Sequence, residues 1–360
     1  MRPVIREHVS ILDMDSSDVR FFCSHRRQMF HFSIDDTGRR ALTAADGRRS
    51  VAEIMEQVGA RHLRHSDVAD FFGSLIESGM FRDTSGDANV EFDRDYETRM
   101  RRQIIYLSGL APAGLTGHDL QDRLRRSRVL VIGAGGAGSH LAVQLAGIGV
   151  GQLVVVDHDR IELGNIGRQI HYAGHLGQRK VDVIADVIRT ISPQTQVTTL
   201  AEKLTPSSDW VKGLASHADL VLNCADYPST DMTSRWLFET CYPLRVPLIP
   251  AGGYNGHMTS VPPTLLPGQS TCWPCYEKAT ARKNSPYSGE LNLSQIKSGI
   301  FLPATVAMAA LQMPEIVRVL TGYEAPRFVN QRGEFDLNTC ELTIEKVPPT
   351  PGCRTCEGRD

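Results

Sequence analysis

The chain lacks any apolar run near the roughly 20 residues that a membrane-spanning helix requires. Its start, Met1-Arg-Pro-Val-Ile-Arg-Glu7, carries no apolar signal-peptide core. It also lacks a strong charge of either sign, with a formal net charge of −2 over 360 residues. No whole-chain polycation is there to attract nucleic acid or an anionic membrane. There is no long internal repeat and no low-complexity tract. A disulfide framework is missing too. Of eight cysteines, Cys23, Cys224, Cys241 and Cys340 are scattered and expected to be buried thiols. The other four form two C-x-x-C pairs, which fits a reducing cytoplasm and a metal better than disulfides. A cytoplasmic protein with neither membrane nor nucleic-acid partners is expected.

The chain is 41% hydrophobic and 22% charged, ordinary for a globular protein with a sizeable core. Its length suggests two domains, expected at 1–90 and 91–360. In the first, Val19–Phe22 and Met29–Ile34 read as strands, with Phe30, Phe32 and Ile34 alternating on one face. Asp35-Asp-Thr-Gly38 reads as a turn, and Ser50-Val-Ala-Glu53 as a capping box opening a helix. Ser66 or Asp67 is expected to cap a second helix that Gly79 ends. Short strands followed by amphipathic helices suggest a small winged-helix-like α+β module. A DNA-binding wing is disfavoured, because residues 1–95 hold 13 Lys/Arg against 17 Asp/Glu. Thr84–Val90 reads as a linker, and Tyr96–Ile104 as a basic helix.

From Arg128 onward strands and helices alternate, which implies a Rossmann-like, doubly wound, mainly parallel sheet. Strands are expected at Val129–Ile132, Leu153–Asp157, Val197–Leu200, Leu220–Asn223 and Pro247–Gly252. Helices are expected at Gly138–Ile148, Arg179–Ile191, Trp210–Leu214, Thr230–Cys241 and Ala304–Leu320. Beyond Ala251 the pattern shortens to an antiparallel extension, and the polar run Lys283–Glu290 is expected to be mobile.

The first expected strand runs into Gly133-Ala-Gly135-Gly136-Ala-Gly138, a G-x-G-x-x-G turn opening a helix. Glycine there lets the backbone approach a phosphate, with the helix's first amides facing the anion. Asp157 ends the next strand about 20 residues on, where a carboxylate accepts hydrogen bonds from a ribose. A polar cluster beyond that strand selects the nucleotide. Asp157-x-Asp159 precedes Asn165-Ile-Gly-Arg168-Gln169, and Lys180 opens the next helix. A nicotinamide pocket has little use for such a cluster, whereas the triphosphate of ATP does. Asp226, just past the fourth strand, suits Mg²⁺, which usually takes one or two carboxylates plus phosphate oxygens. Cys272-Trp-Pro-Cys275 and Cys353-Arg-Thr-Cys356 supply four thiolates for one tetrahedral, structural zinc.

These features occur in one order: Arg102-Gln103, the glycine loop, Asp157-x-Asp159, Asn165-x-x-Arg168-Gln169, Lys180, Cys-Ala-Asp226 and the two cysteine pairs. In that order the chain from about Tyr96 to Cys356 resembles the ThiF/MoeB-like adenylyltransferases, which activate ubiquitin-like sulfur carriers. The resemblance implies homodimers, ATP, Mg²⁺ and acyl-adenylate formation. It also implies that Asp157 holds the ribose, that Asn165, Arg168 and Lys180 hold the phosphates, and that Arg102 reaches into the partner's triphosphate. The pattern from Leu42 to Phe81 resembles the leader-peptide recognition element of ribosomal-peptide modifying enzymes. With that module added, the chain looks most like the microcin-C-type (MccB-like) peptide-adenylating enzymes. In one respect it departs from ubiquitin-activating relatives: Glu277–Ile300 contains no cysteine for a thioester. That implies chemistry completed at the adenylate, followed by attack of a peptide nitrogen. Side-chain Glu/Asp activation with dehydration, and sulfur-carrier activation, are the alternatives.

Overall fold

The computed structural model describes residues 1–14, 18–86, 90–112, 114–171, 173–284, 299 and 301–357. Its two compact units are Met1–Asp122 and Arg123–Asp360. Part of the expected linker (87–89) and most of the run expected to be mobile (285–290) lie outside the described residues.

In the first unit, β1 (Pro3–Ile5) pairs antiparallel with β5 (Phe81–Asp83). β2 (Val9–Met14), β3 (Asp18–Cys23) and β4 (Gln28–Ser33) form an antiparallel sheet with β3 in the middle. Three helices, α1 (Asp36–Ala44), α2 (Val51–Gln57) and α3 (His65–Glu77), join it around one core. Period-2 alternation puts Val19, Phe21 and Cys23 of β3 into that core, and α3 adds Val68, Phe72 and Leu75. The Ser50–Glu53 capping box forms as expected. Two local readings change. Asp35 does not make a free turn; its side chain accepts from Gly38 N and caps α1. Likewise α3 starts at His65, two residues before a Ser66 cap would start it and three before an Asp67 cap would, with no side-chain cap hydrogen bond.

The unit continues past residue 90 through α4 (Arg94–Ser108) and into α5 (Gly117–Arg126). α4 buries Tyr96, Met100, Ile104 and Leu107. At its end Ser108 Oγ lies 3.2 Å from His8 Nδ1, on the turn between β1 and β2.

The second unit is built on a five-stranded parallel sheet ordered β10-β9-β6-β7-β8. Its strands are β6 (Arg128–Ile132), β7 (Gln152–Val156), β8 (Gln196–Leu200), β9 (Leu220–Asn223) and β10 (Leu248–Ile249). The last is shorter than the expected Pro247–Gly252, because the chain leaves the sheet at Pro250. Alternation decides which helices cover which face. Val129 and Val131 point to a core with α6 (Gly136–Gly147), α7 (Lys180–Ile191) and α11 (Leu302–Thr321). Leu130 and Ile132 point to the other, with α8 (Asp209–Ala215), α9 (Thr230–Cys241) and α10 (Trp273–Asn284). Burial on both faces explains why β6, β7 and β9 read as unbroken apolar runs.

Beyond it lies a four-stranded antiparallel sheet of β11 (Tyr254–Asn255), β12 (Met258–Val261), β13 (Gln331–Asp336) and β14 (Glu341–Lys346). The short α12 (Arg354–Glu357) ends the described chain. Among the described residues no helix is long and apolar enough to cross a membrane.

A candidate nucleotide site at the switch point of the sheet

The chain crosses from β8 on one side of β6 to β9 on the other, so the sheet's switch point lies between β6 and β9. Doubly wound folds hold ligands at this point, outside the carboxyl ends of the strands. A cleft of about 760 Å³ opens there.

One wall is the glycine loop. Gly133 has φ +97, and a Cβ there would sit 2.6 Å from the backbone of Cys224. A Cβ on Gly138 would collide with Gly133 O, so this residue fixes the turn and does not line the cleft. Gly135 is the N-cap of α6 and supplies no side-chain acceptor. Gly136 and Ala137, in the first turn of α6, both line the cleft, and helix N-termini of this kind suit anions. The carboxylate of Asp157 bridges neighbouring segments. Oδ2 accepts from Ala134 N at 2.7 Å and Oδ1 from Asp159 N at 2.8 Å. That grip holds the carboxylate at the end of β7.

The polar groups expected from the sequence converge on this cleft: Asp157, Asp159, Asn165, Arg168, Gln169, Lys180 and Asp226 all line it. Asn165 Oδ1 accepts from Glu162 N at 3.0 Å, which closes the one-turn helix around Leu163–Asn165. The carbonyl of Arg168 accepts from Thr305 Oγ1 at 3.5 Å, tying this segment to α11. Gln169 Oε1 is buried with no hydrogen-bond partner among the described residues, an acceptor that a ligand or water would satisfy. Lys180 Nζ lies 2.6 Å from Asp159 Oδ2. Burial alone would raise the Asp159 carboxyl. The hydrogen bond and charge of Lys180, aided by His158 and Lys203, outweigh it and hold the group below its ordinary range. Asp226 is exposed at the cleft, on a loop that Asn223 shapes. Buried Asn223 donates to Thr233 and Ser234 at 3.0 Å each and accepts from Ala225 N at 3.0 Å. Arg102 belongs to the first unit and is exposed on α4.

Several cleft residues carry no plain signal in the sequence. Lys203 and Tyr227 line it from the loops after β8 and β9, and Gln312 and Met308 from α11. Asn223 had a signal: a polar residue ending a strand of otherwise apolar residues. His171 lies close to this chemistry, and both its ring nitrogens are buried without a partner among the described residues. Burial first, then the charges of Lys180 and His175, push its pKa from 6.5 to about 4, so the ring is neutral.

The free thiols do not all behave as expected. Cys23 and Cys241 are buried, Cys224 is half-buried, and Cys340 is exposed on the β13–β14 turn with φ +60. Cys340 therefore sits on a tight turn and not in the core. Burial pushes the Cys224 and Cys241 thiols up to about 12, so neither is a ready nucleophile. Cys272, Cys275, Cys353 and Cys356 gather with their sulfurs all within 4.8 Å of one another. The pairs Cys272–Cys353 and Cys275–Cys356 stand 3.6 and 3.8 Å apart, too far for disulfides and right for thiolates around one ion.

Known proteins agree with this layout. Molybdopterin-synthase adenylyltransferase of Salmonella typhimurium is 31% identical over 267 residues, covering 72% of this chain and 95% of that protein. Sulfur carrier protein ThiS adenylyltransferase of Escherichia coli is 30% identical over 269 residues, covering 74% and 97%. Among solved structures, PaaA matches with a TM-score of 0.73 at 22% identity over 95% of this chain and 99% of that one. E. coli MccB matches with a TM-score of 0.74 at 21% identity over 99% and 97%. A further MccB structure, with AMPCPP and MccA bound, has a TM-score of 0.73 at 20% identity over 99% and 100%. At these identities the structural likeness shows the fold. The ThiF family model matches residues 106–355. The chain belongs to the ThiF family, and the curated relatives it matches are named adenylyltransferases.

Proposed function

We propose that the cleft binds ATP with Mg²⁺ and that the chain adenylates a carboxyl group of a ribosomally made precursor peptide. The peptide would serve the biosynthesis of a natural product such as a peptide antibiotic. The observation that carries the ATP reading is the convergence of the glycine loop, Asp157, Arg168, Lys180 and Asp226 on one cleft.

The chemistry rests on charge. A peptide carboxylate is already ionised, so no protein base is needed. Its oxygen attacks the α-phosphorus in line, a P–O bond to pyrophosphate breaks, and a mixed anhydride with AMP forms. The protein's part is positioning and neutralising charge. Arg168 and Lys180 approach the phosphates from the cleft, with Lys180 exchanging Asp159 for phosphate oxygens. Asp226 would hold Mg²⁺, which supplies further positive charge to those oxygens. Arg102 would reach the triphosphate of a partner subunit in a homodimer, the role the family resemblance gives it. The four cysteines would hold a structural zinc.

Two observations favour a peptide substrate. The family match begins at residue 106, so it leaves the β2–β4 module unexplained. Among the described strands, β4 pairs only with β3, and its other edge is open to an added strand. A groove of about 270 Å³ lies among α1, α2 and α3 where β4 ends at Ser33, lined by Ile34, Met55, Val58 and Phe71. We assign residues 1–90 to leader recognition and 91–360 to adenylation. After activation a peptide nitrogen attacks the adenylate, either at the acyl carbon, expelling AMP and closing a ring, or at phosphorus, expelling the carboxylate and leaving the nucleotide linked through nitrogen. Activation of a Glu or Asp side chain with dehydration differs by mass: loss of water against an added nucleotide. The 31% identity to a molybdopterin-synthase adenylyltransferase favours a second reading, activation of a sulfur carrier. That reading predicts adenylation of a folded carrier protein's C-terminus.

Pyrophosphate exchange tests the site. With peptide present, Arg168→Ala should slow exchange by roughly 10³-fold, by analogy with other phosphoryl-transfer arginines, and Asp226→Ala should slow it as well. Near-normal exchange in either variant would remove that residue from the mechanism.

A further inference from the structure

We infer that Lys203 and Tyr227 form a clasp across the cleft mouth and that the Tyr227 ring is the stacking platform for the purine base. The inference rests on the ATP reading above and adds the residues that grip the base. Lys203 follows β8 and Tyr227 follows β9. In the sheet β7 and β6 stand between those two strands. Three inter-strand steps of about 4.8 Å separate the strand ends by roughly 14 Å. Yet Lys203 Nζ lies 4.1 Å from the centroid of the Tyr227 ring. The two side chains therefore meet above the ends of β6 and β7, over the glycine loop and Asp157.

Tyr227 is 64% exposed, a large ring presented to a polar cleft. Its two faces can serve two partners. Lys203 occupies one as a cation on the ring's negative face. The base takes the other, since every base offers a π-face and stacking needs no particular edge. Direction supports this. With the ribose at Asp157 and the phosphates at the glycine loop and Arg168, the base leaves the sugar away from the phosphates. It then runs toward buried Leu204, which lines the cleft beside Lys203, and under the Lys203–Tyr227 arch.

The test measures binding of AMP, of ATP with Mg²⁺, and of tripolyphosphate, which has no base, to the full chain. Tyr227→Ala should weaken AMP and ATP by roughly tenfold or more, in the range base–aromatic stacking supplies. Tyr227→Phe should restore affinity to within about threefold, since the hydroxyl is not needed to stack. Lys203→Ala should speed AMP release, and tripolyphosphate should bind Tyr227→Ala as it binds the unaltered chain. If Tyr227→Ala binds AMP normally, or loses tripolyphosphate to the same degree, the ring is not a base platform. If the unaltered chain binds neither ATP nor AMP, the reading of the cleft fails first and this inference with it.

Discussion

Gly133 shows how one residue can carry a site. Its φ of +97 lies where side chains are strained, and a Cβ would press on the Cys224 backbone at 2.6 Å. Gly133→Ala must push the glycine loop off the end of β9, which misdirects the α6 amides. We expect the thermal stabilisation conferred by AMP to disappear in this variant, and unchanged stabilisation would mean the loop does not touch phosphate. His171 offers a test through pH. Its folded pKa of about 4 lies below the ordinary 6.5, chiefly from burial. Below pH 6.5 the unfolded chain takes up a proton that the folded chain refuses until about pH 4. Stability is therefore fully present above the upper value and falls as the pH drops through that window. His171→Gln should flatten the fall in urea midpoint between pH 7 and 4.5, after the shared contributions of His8 and His140 are subtracted. An equally steep fall in the variant would show that His171 is not the group responsible. Single residues also mark where the sequence spoke plainly. Asp157, Arg168 and Lys180, which line the cleft, were legible because their residue types and spacings match the ribose and phosphate roles proposed for them. Tyr227 and Lys203 were not, because only the strand order brings the loops after β8 and β9 together.

Elements were legible where their reason is local. β6, β7 and β9 are buried on both faces, which leaves continuous apolar runs, and the Ser50–Glu53 cap is a four-residue signal. β1 and β5 were hidden because their partners lie some 80 residues apart, Pro3 opposite Asp83. The start of α1 was hidden because Asp35-Asp-Thr-Gly38 suits a turn and an N-cap equally. The groove among α1, α2 and α3 at the end of β4 carries the prediction at this scale. Phe71 on α3 lines that groove and is only half-buried, so a charge there need not break the core. Phe71→Glu should raise the KM for the peptide at least several-fold while AMP binding stays within about twofold. Such a split is what a docking site separate from the nucleotide cleft produces. An unchanged peptide KM would place recognition elsewhere.

At the scale of the whole molecule, the cysteine cluster decides how the end of the described chain is held. Residues 353–356 join the second unit's core, with Cys356 buried in it and Cys353 packed against it. Cys353 and Cys356 face Cys272 and Cys275, Thr350 N donates to Cys275 Sγ at 3.3 Å, and Tyr242 OH donates to Thr355 O at 2.8 Å. None of the four sulfurs lines the nucleotide cleft. A zinc held by four thiolates has no open position for substrate, so its effect should be on stability and not on chemistry. The purified chain should carry one zinc. A strong chelator, or Cys353→Ser, should lower the thermal midpoint and open the segment after Lys346 to proteolysis. AMP affinity in the folded remainder should change less than about threefold, because the β6–β9 switch point is built from other elements. Two outcomes would sink this account. Full thermal stability without metal would make the cluster an incidental gathering of thiols. A loss of AMP binding that tracks zinc content, with the fold intact, would mean that the metal serves the nucleotide site after all.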